Sequence, residues 1–393
     1  MKVLQVCVGT FHHFSVAREL NRSGHLYKIA TGVPRFRLKA QGLPGERILS
    51  FPFVHPAYYA LVRLGWSHSA LGRAVHWRSL ESIDRFASRH VDGRTAVFAL
   101  SGCGLHAGRT AQGKGGVYIC DRGSTHIHFQ RRTMEEEFRR WGLTFDDMYD
   151  RGCRKELAEY EAADAVTVPS RFCRQTFVNE GVDPDKVKVI PYGVPTETFF
   201  PDGEAPTDRF RVLFVGQVCL RKGVPYLLDA FARLRHPRKE LLLAGLVAPE
   251  IAPILKRFNL ENVRFLGHQP REELRRLMST SSLMVLPSIE EGLAFVQGQA
   301  LACGCPLLIT EATGGEELIE NGVQGLIVQS RSSEALLRGL NEFAENPAMR
   351  AKMAEAALAR SHTVCGWETY AQALIALIGH FSPNTPIQPI DPT

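Results

Sequence analysis

Residues 283–306 read LMVLPSIEEGLAFVQGQALACGCP, and LLIT follows at 307–310. An apolar run closes on Pro287-Ser288, and a loop with two carboxylates and a glycine comes next. A second apolar stretch and Gly304-Cys305-Pro306 then lead into another apolar run. Strand, loop, helix and strand in this order form the unit of a parallel sheet, whose ligands lie at the carboxyl ends of the strands. Packing accounts for Leu301, Ala302 and their apolar neighbours. It does not account for Glu291 and Gln299, which stand about two helical turns apart. A helix start at Leu293 or Ala294 aims free amides at a phosphate or at sugar hydroxyls. An anion beside Glu291 is unfavourable unless that carboxylate meets hydroxyls. The pattern therefore suits a ligand with both sugar and phosphate.

The same unit stands at 212–231, VLFVGQVCLRKGVPYLLDAF. A strand precedes Gly216 and a helix follows Gly223; between them Arg221 and Lys222 add charge to amides already favourable for anions. Around these stretches the chain keeps one rhythm. KVLQVCVG (2–9), LYKIATG (26–32), TAVFAL (95–100), GGVYIC (115–120) and DAVTVPS (164–170) read as strands. HHFSVARELNRSGH (12–25) puts Val16, Ala17 and Leu20 on one helical face. A short acidic linker, FFPDGEAPTD (199–208), precedes a second series of strands: RVLFVGQ, ELLLAG, NVRFLG, LMVLPS, PLLIT and GLIVQ. Helices are expected over VPYLLDAFARLR and REELRRLMST, and at about 332–345, 348–361 and 366–380. The expected fold is α/β with two doubly wound domains, 1–203 and 204–365. The tail 382–393, SPNTPIQPIDPT, is expected to be disordered.

Composition sets bounds. With 45% apolar and 22% charged residues the chain can bury a sizeable core. No uncharged apolar run reaches about 18 residues, and MKVLQVCVGTFHHF reads as a first buried strand rather than a secretory leader. Nine scattered cysteines without a C-x-x-C pair fit reduced thiols of a cytosolic protein better than a disulfide framework or a zinc site. Residues 1–203 carry 28 Lys+Arg against 21 Asp+Glu, or +7; residues 204–393 carry 19 against 20, or −1. Within the first 134 residues the balance is 19 against 6, or +13. Such a surface attracts the phosphates of anionic lipid or nucleic acid, or is simply a solvated basic face. The nucleic-acid reading lacks interleaved aromatic motifs. Residues 57–90 mix Tyr58, Tyr59, Leu64 and Trp66 with Arg63, Arg73 and Arg78. Either a membrane-touching surface or ordinary helices on the first sheet would explain that mixture.

The second half resembles the retaining, GT-B-type nucleotide-sugar glycosyltransferases of family 4. The residues that carry the resemblance are Gly216, Lys222 and Gly223, then Pro287, Ser288, Glu291 and Gly292, then TEATGGEELIENGVQGLIV at 310–328. Residues 163–194, ADAVTVPSRFCRQTFVNEGVDPDKVKVIPYGV, are similar to the end of the family's first domain. The chain departs from the pattern at Gln217, where the family has arginine, at Ala294, where it has glycine, and at Gln299, where it has a second glutamate. The resemblance implies that Glu291 contacts the transferred sugar and Gln299 the ribose. It implies that Lys222, Arg221 and the helix-start amides of Gly292, Leu293, Ala294, Phe295 and Val296 hold the diphosphate. It further implies reaction on one face of the sugar, with no protein nucleophile, no metal and no cofactor. The helix at 366–380 is expected to return to the first domain.

The acceptor is expected on the first domain. DRGSTHIHF (121–129) follows a strand, and the family often has a histidine in this loop beside the transferred sugar; His126 is assigned that role, with Asp121 and Ser124 nearby. His128 would point to the other side of an extended chain. In VGTFHHF (8–14) Gly9 and Thr10 permit close approach, and His12 or His13 could line the cleft. The histidine pair is not read as a metal site. His25 closes a helix, and His268 in FLGHQP lies toward the base. The leading expectation is a glycosyltransferase that moves a hexosyl-type sugar from a UDP- or GDP-sugar to a lipid-linked or polysaccharide acceptor. It would act in the cytoplasm, at the inner membrane face, in surface or exopolysaccharide synthesis. The alternative is a non-catalytic nucleotide-sugar-binding protein, suggested by Gln217 and Gln299.

Overall fold

The computed structural model describes residues 1–66, 69–145, 150–364 and 366–381. The expected disordered tail and Cys365 lie outside them. Two parallel sheets organise the chain. The first contains β1 (Lys2–Cys7), β2 (Leu26–Thr31), β3 (Ile48–Ser50), β4 (Thr95–Leu100), β5 (Val117–Asp121), β6 (Ala165–Val168) and β7 (Val187–Val189), in the order β3-β2-β1-β4-β5-β6-β7. The second contains β8 (Phe210–Val215), β9 (Lys239–Ala244), β10 (Val263–Gly267), β11 (Leu283–Leu286), β12 (Leu307–Thr310) and β13 (Gly325–Val328), in the order β10-β9-β8-β11-β12-β13. Strand order reverses beside β1 and beside β8, and each reversal opens a crevice at the carboxyl ends. Both loops singled out above, after β8 and after β11, emerge at the second crevice.

Helices α1 (His13–Arg22), α2 (His55–Arg63), α3 (Ala70–Ser88), α4 (Leu105–Gly113), α5 (Ile127–Arg140), α6 (Asp150–Ala162) and α7 (Arg171–Asn179) belong to the first sheet. Helices α8 (Val224–Arg233), α9 (Ala252–Leu255), α10 (Arg271–Ser279), α11 (Phe295–Ala302), α12 (Ser333–Glu345) and α13 (Pro347–Ser361) belong to the second. The last helix, α14 (Trp367–His380), crosses back and packs on α1. Strands covered on both faces read as continuous apolar runs, as Ala96–Ala99 and Leu283–Leu286 do. The face of α1 predicted from periodicity buries Val16, Ala17 and Leu20 together with Phe14 and His13. At its end the His25 amide donates to the Leu20 carbonyl at 2.7 Å, the closing turn expected of that residue.

One apolar core runs from the α1 face of the first sheet through Tyr192, Val194, Leu293 and Tyr370 into the second sheet. The other face of the first sheet has its own core around Val97, Tyr118 and Phe177. The basic-aromatic stretch forms α2 and α3. Helix α3 packs on β1, β2 and α4, and Leu64, Trp66 and Leu71 stay exposed around the α2–α3 turn. Among the described residues no helix is long and apolar enough to cross a membrane.

Candidate functional site

The loop after β8 is shaped by Gly223. Its φ is 67°, and a Cβ there would lie 1.8 Å from the Pro287 carbonyl oxygen, so only glycine lets this loop press against the one after β11. The backbone ties the loops again, the Ile289 amide donating to the Arg221 carbonyl at 3.0 Å. This contact brings two cations to two carboxylates. Lys222, buried, pairs with Glu291. Arg221 Nη1 lies 3.3 Å from Glu291 Oε2 and 3.5 Å from Glu290 Oε2, and donates to the Glu290 carbonyl at 3.1 Å. Burial opposes ionisation of Glu291, yet Lys222 and then Arg221 outweigh it and hold its carboxyl at about 2. Burial likewise opposes Glu290, and Arg221 chiefly brings it below the usual range. Both carboxylates are charged at neutral pH and face Arg221 and Lys222 at the mouth.

Helix α11 starts at Phe295, with Ala294 in extended conformation at its cap and no side chain closing the end. Gln297 is the first amide bonded back into the helix, to the Ala294 carbonyl. The amides before it are positioned for an anion, which the positive end of the helix favours. Gly216 and Gln217 lie at the same mouth, Gln217 exposed, and Gln299 sits half-buried a turn into α11.

The first domain meets this assembly directly. A Cβ on Gly292 would lie 2.1 Å from the Gly123 carbonyl oxygen, so the donor-side loop and the β5–α5 loop touch backbone to backbone. Ser170 Oγ donates to the Gly292 carbonyl at 2.8 Å. Ser124 Oγ donates to Glu290 Oε1 at 2.5 Å. Asp121, at the end of β5, is buried beneath the mouth. Its carboxylate meets His12 Nε2 at 2.8 Å and accepts from Thr167 Oγ1 at 2.8 Å and from the Tyr370 hydroxyl at 3.3 Å. Burial opposes its ionisation, and the His12 ring overcomes this. Above it the His12 ring lies 4.6 Å from that of Tyr192, which stacks on Phe295 at 4.8 Å, with Trp367 beside all three. Gly9 is buried, and Thr10 and Phe11 are exposed at the same edge.

Lys222, Arg221, Glu291, Ser124 and the start of α11 therefore converge. Three histidines stand elsewhere than expected. His126 is the cap of α5: its ring accepts from the His128 amide and packs on Tyr160 and Phe177 inside the first domain. Burial lowers its basicity to about 4, as for a ring that fills a core. The assignment of His126 beside the sugar is corrected, because a helix starting at Ile127 turns the ring inward. The same helix removes the two-residue alternation assumed for His128. His13 is wholly buried against Phe98, neutral because burial lowers it to about 3, so it does not line the cleft. The residue facing the mouth is His12. Glu290, Thr125, Gln130, Tyr192 and Trp367 had no role in the sequence reading; for Glu290 the signal was its place in the loop before Glu291.

His12, His13 and Asp121 bring potential ligand atoms within 4.8 Å of one another, as do His126, His128 and Glu180. The first set could hold a cation only by giving up the His12–Asp121 contact. The eight described cysteines are buried and unpaired.

Known proteins share this architecture. The model of Glycosyltransferase Family 4 matches residues 12–198 and that of Glycosyl transferases group 1 matches residues 195–360. A D-inositol 3-phosphate glycosyltransferase of Streptomyces scabiei is 32% identical over 214 residues, 49% of this chain and 48% of that protein. An alpha-maltose-1-phosphate synthase of Mycobacterium tuberculosis is 28% identical over 238 residues, 54% of this chain and 62% of that protein. The chain thus spans about half the length of the curated relatives it matches. In fold it is similar to sucrose-phosphate synthase from Thermosynechococcus elongatus, with a TM-score of 0.69, 17% identity and coverage of 98% of this chain and 100% of that one. It is equally similar to Anabaena HepE in complex with UDP, with a TM-score of 0.68, 18% identity and coverage of 97% and 100%. Two GT-B domains, each matched by its own family model, make this chain a member of the group 1 glycosyltransferases.

Proposed function

We propose that this protein is a retaining glycosyltransferase that moves a hexosyl-type sugar from a UDP- or GDP-sugar to a lipid-linked or polysaccharide acceptor in surface or exopolysaccharide synthesis. The observation that carries it is the convergence of Arg221 and Lys222 on Glu291 at the open start of α11. A diphosphate seated there takes over the two cations and accepts the helix-start amides, and Glu291, released from Lys222, accepts from sugar hydroxyls. Gln299 offers an amide oxygen to the ribose. The leaving diphosphate gains charge as the glycosidic bond breaks, and Lys222 and Arg221 stabilise that charge without metal or cofactor. The acceptor approaches over Gly9, Thr10 and the Ser124 loop, and its proton passes to the departing diphosphate on the same face of the sugar. The work of the protein is position and charge.

The test is a thermal-shift screen against UDP- and GDP-sugars followed by a transfer assay with the donor that binds. Lys222→Ala is expected to lower kcat roughly 100-fold or more, the scale of removing one group that stabilises transition-state charge. Wild-type turnover in that variant would overturn the reading. Gln217 and Gln299 favour a second reading, a nucleotide-sugar binder without catalysis, which binding without turnover across a broad acceptor panel would support. Action in the cytoplasm rests on the scattered, unpaired cysteines, and action at the inner membrane face on the basic first domain.

A further inference from the structure

Glu290 has no place in the family pattern, yet it is the most densely bonded carboxylate of the interdomain contact and is wholly buried. Its Oε1 accepts from Ser124 Oγ at 2.5 Å, Thr125 Oγ1 at 2.7 Å and the Thr125 amide at 3.4 Å. Its Oε2 accepts from Gln130 Nε2 at 3.0 Å and faces Arg221 Nη1 at 3.5 Å. Gln130 in turn accepts from Arg122 at 2.9 Å. A buried carboxylate left without partners is strongly destabilising. Four of these five donor groups come from the first domain, and the fifth, Arg221, is a cation of the diphosphate seat. Packing alone would be met by an apolar residue here; a fully bonded carboxylate fixes donors from two domains at once.

We propose that Glu290 is a positioning residue that couples the diphosphate seat to the acceptor-side loop 122–126. A nucleoside diphosphate that draws Arg221 away from Glu290 leaves the carboxylate to Ser124, Thr125 and Gln130, and so sets the place of that loop. The inference rests on the donor reading above only in identifying what draws on Arg221.

Hydrogen exchange of the full chain tests it, with UDP and GDP as probes. Without nucleotide, Glu290→Gln turns the Oε2 side from acceptor to donor, facing Gln130 and Arg221. Exchange of a peptide over 120–131 is expected to rise at least threefold while β4 and α13 keep wild-type rates. Unchanged exchange at 120–131 overturns the proposal whether or not a nucleotide binds. A rise spread evenly over both domains also overturns it, because that is loss of stability and not of coupling. With the nucleotide that binds wild type, the variant should retain affinity within about threefold but lose the nucleotide-induced change at 120–131. In the transfer assay kcat should fall about tenfold with the donor KM within threefold. A matching change in KM alone overturns the coupling role. Gln130→Glu combined with Glu290→Gln restores a donor–acceptor pair beside Arg122 and is expected to recover most of the protection. Failure of UDP and GDP to bind wild type would refute the donor reading, a result the nucleotide-free exchange distinguishes from failure of the coupling.

Discussion

Glu291 shows how one residue's charge state becomes a property of the fold. An ordinary glutamate titrates at 4.5, and this one is held at about 2 by Lys222 and Arg221 against the opposing effect of burial. A carboxyl lowered on folding stabilises the protein fully above the unfolded value, and the contribution is lost as pH falls from about 4.5 to 2. Its size is about 3 kcal/mol. Urea unfolding at pH 5 and pH 3 should therefore show a smaller stability difference in Glu291→Gln than in wild type. Equal differences would mean that the pair contributes nothing through ionisation. Lys222, Arg221 and Glu291 were legible in the sequence because glycines and prolines frame them, and those residues exist to let loops approach. His126 was misread. Its role came from the family resemblance alone, and the helix that begins one residue later turns the ring inward.

At the scale of elements, strands were readable wherever both faces are covered, since burial leaves an unbroken apolar run. Strands β3 and β7, three residues each at the sheet edges, carry no such run. Helix α5 was invisible because its buried positions are Ile127, Thr133 and Glu137, which make no apolar stripe. Glu137 is buried by polar partners instead, accepting from Trp141 Nε1 at 2.7 Å and the Tyr226 hydroxyl at 2.8 Å. Helix α14 is held by both kinds of contact. Ala371, Leu374 and Ile378 enter the core, and the Tyr370 hydroxyl reaches Asp121. Tyr370→Phe keeps the packing and removes one bond to a charged oxygen, so unfolding in urea should show a loss of about 1–3 kcal/mol. Asp121 retains Thr167 and His12, and donor binding should stay at wild type; a collapse of binding would show that the Tyr370 hydroxyl shapes the mouth rather than anchoring α14.

The whole molecule is electrically lopsided: +7 over residues 1–203 against −1 over the rest. Charge alone does not choose between a solvated face and a membrane, but its placement adds information. Helix α3 leads into β4, so in a parallel sheet its start lies toward the carboxyl ends of the strands, on the side of the mouth. Around that start Leu64 is 64% exposed, Trp66 57% and Leu71 55%, with Arg63 also exposed among them. Apolar side chains beside arginine suit the boundary between headgroups and acyl chains, and would bring the mouth toward an acceptor carried on lipid. Vesicles of phosphatidylglycerol are expected to sediment the protein at low salt and to release it as salt rises, since each cation near such a surface adds about 1 kcal/mol. Arg63→Glu should weaken the binding about tenfold or more, and Trp66→Ser should weaken it without changing its salt dependence. Zwitterionic vesicles should bind little. If anionic vesicles do not sediment the protein either, the basic face is a solvated one and the acceptor must come to the cleft through water.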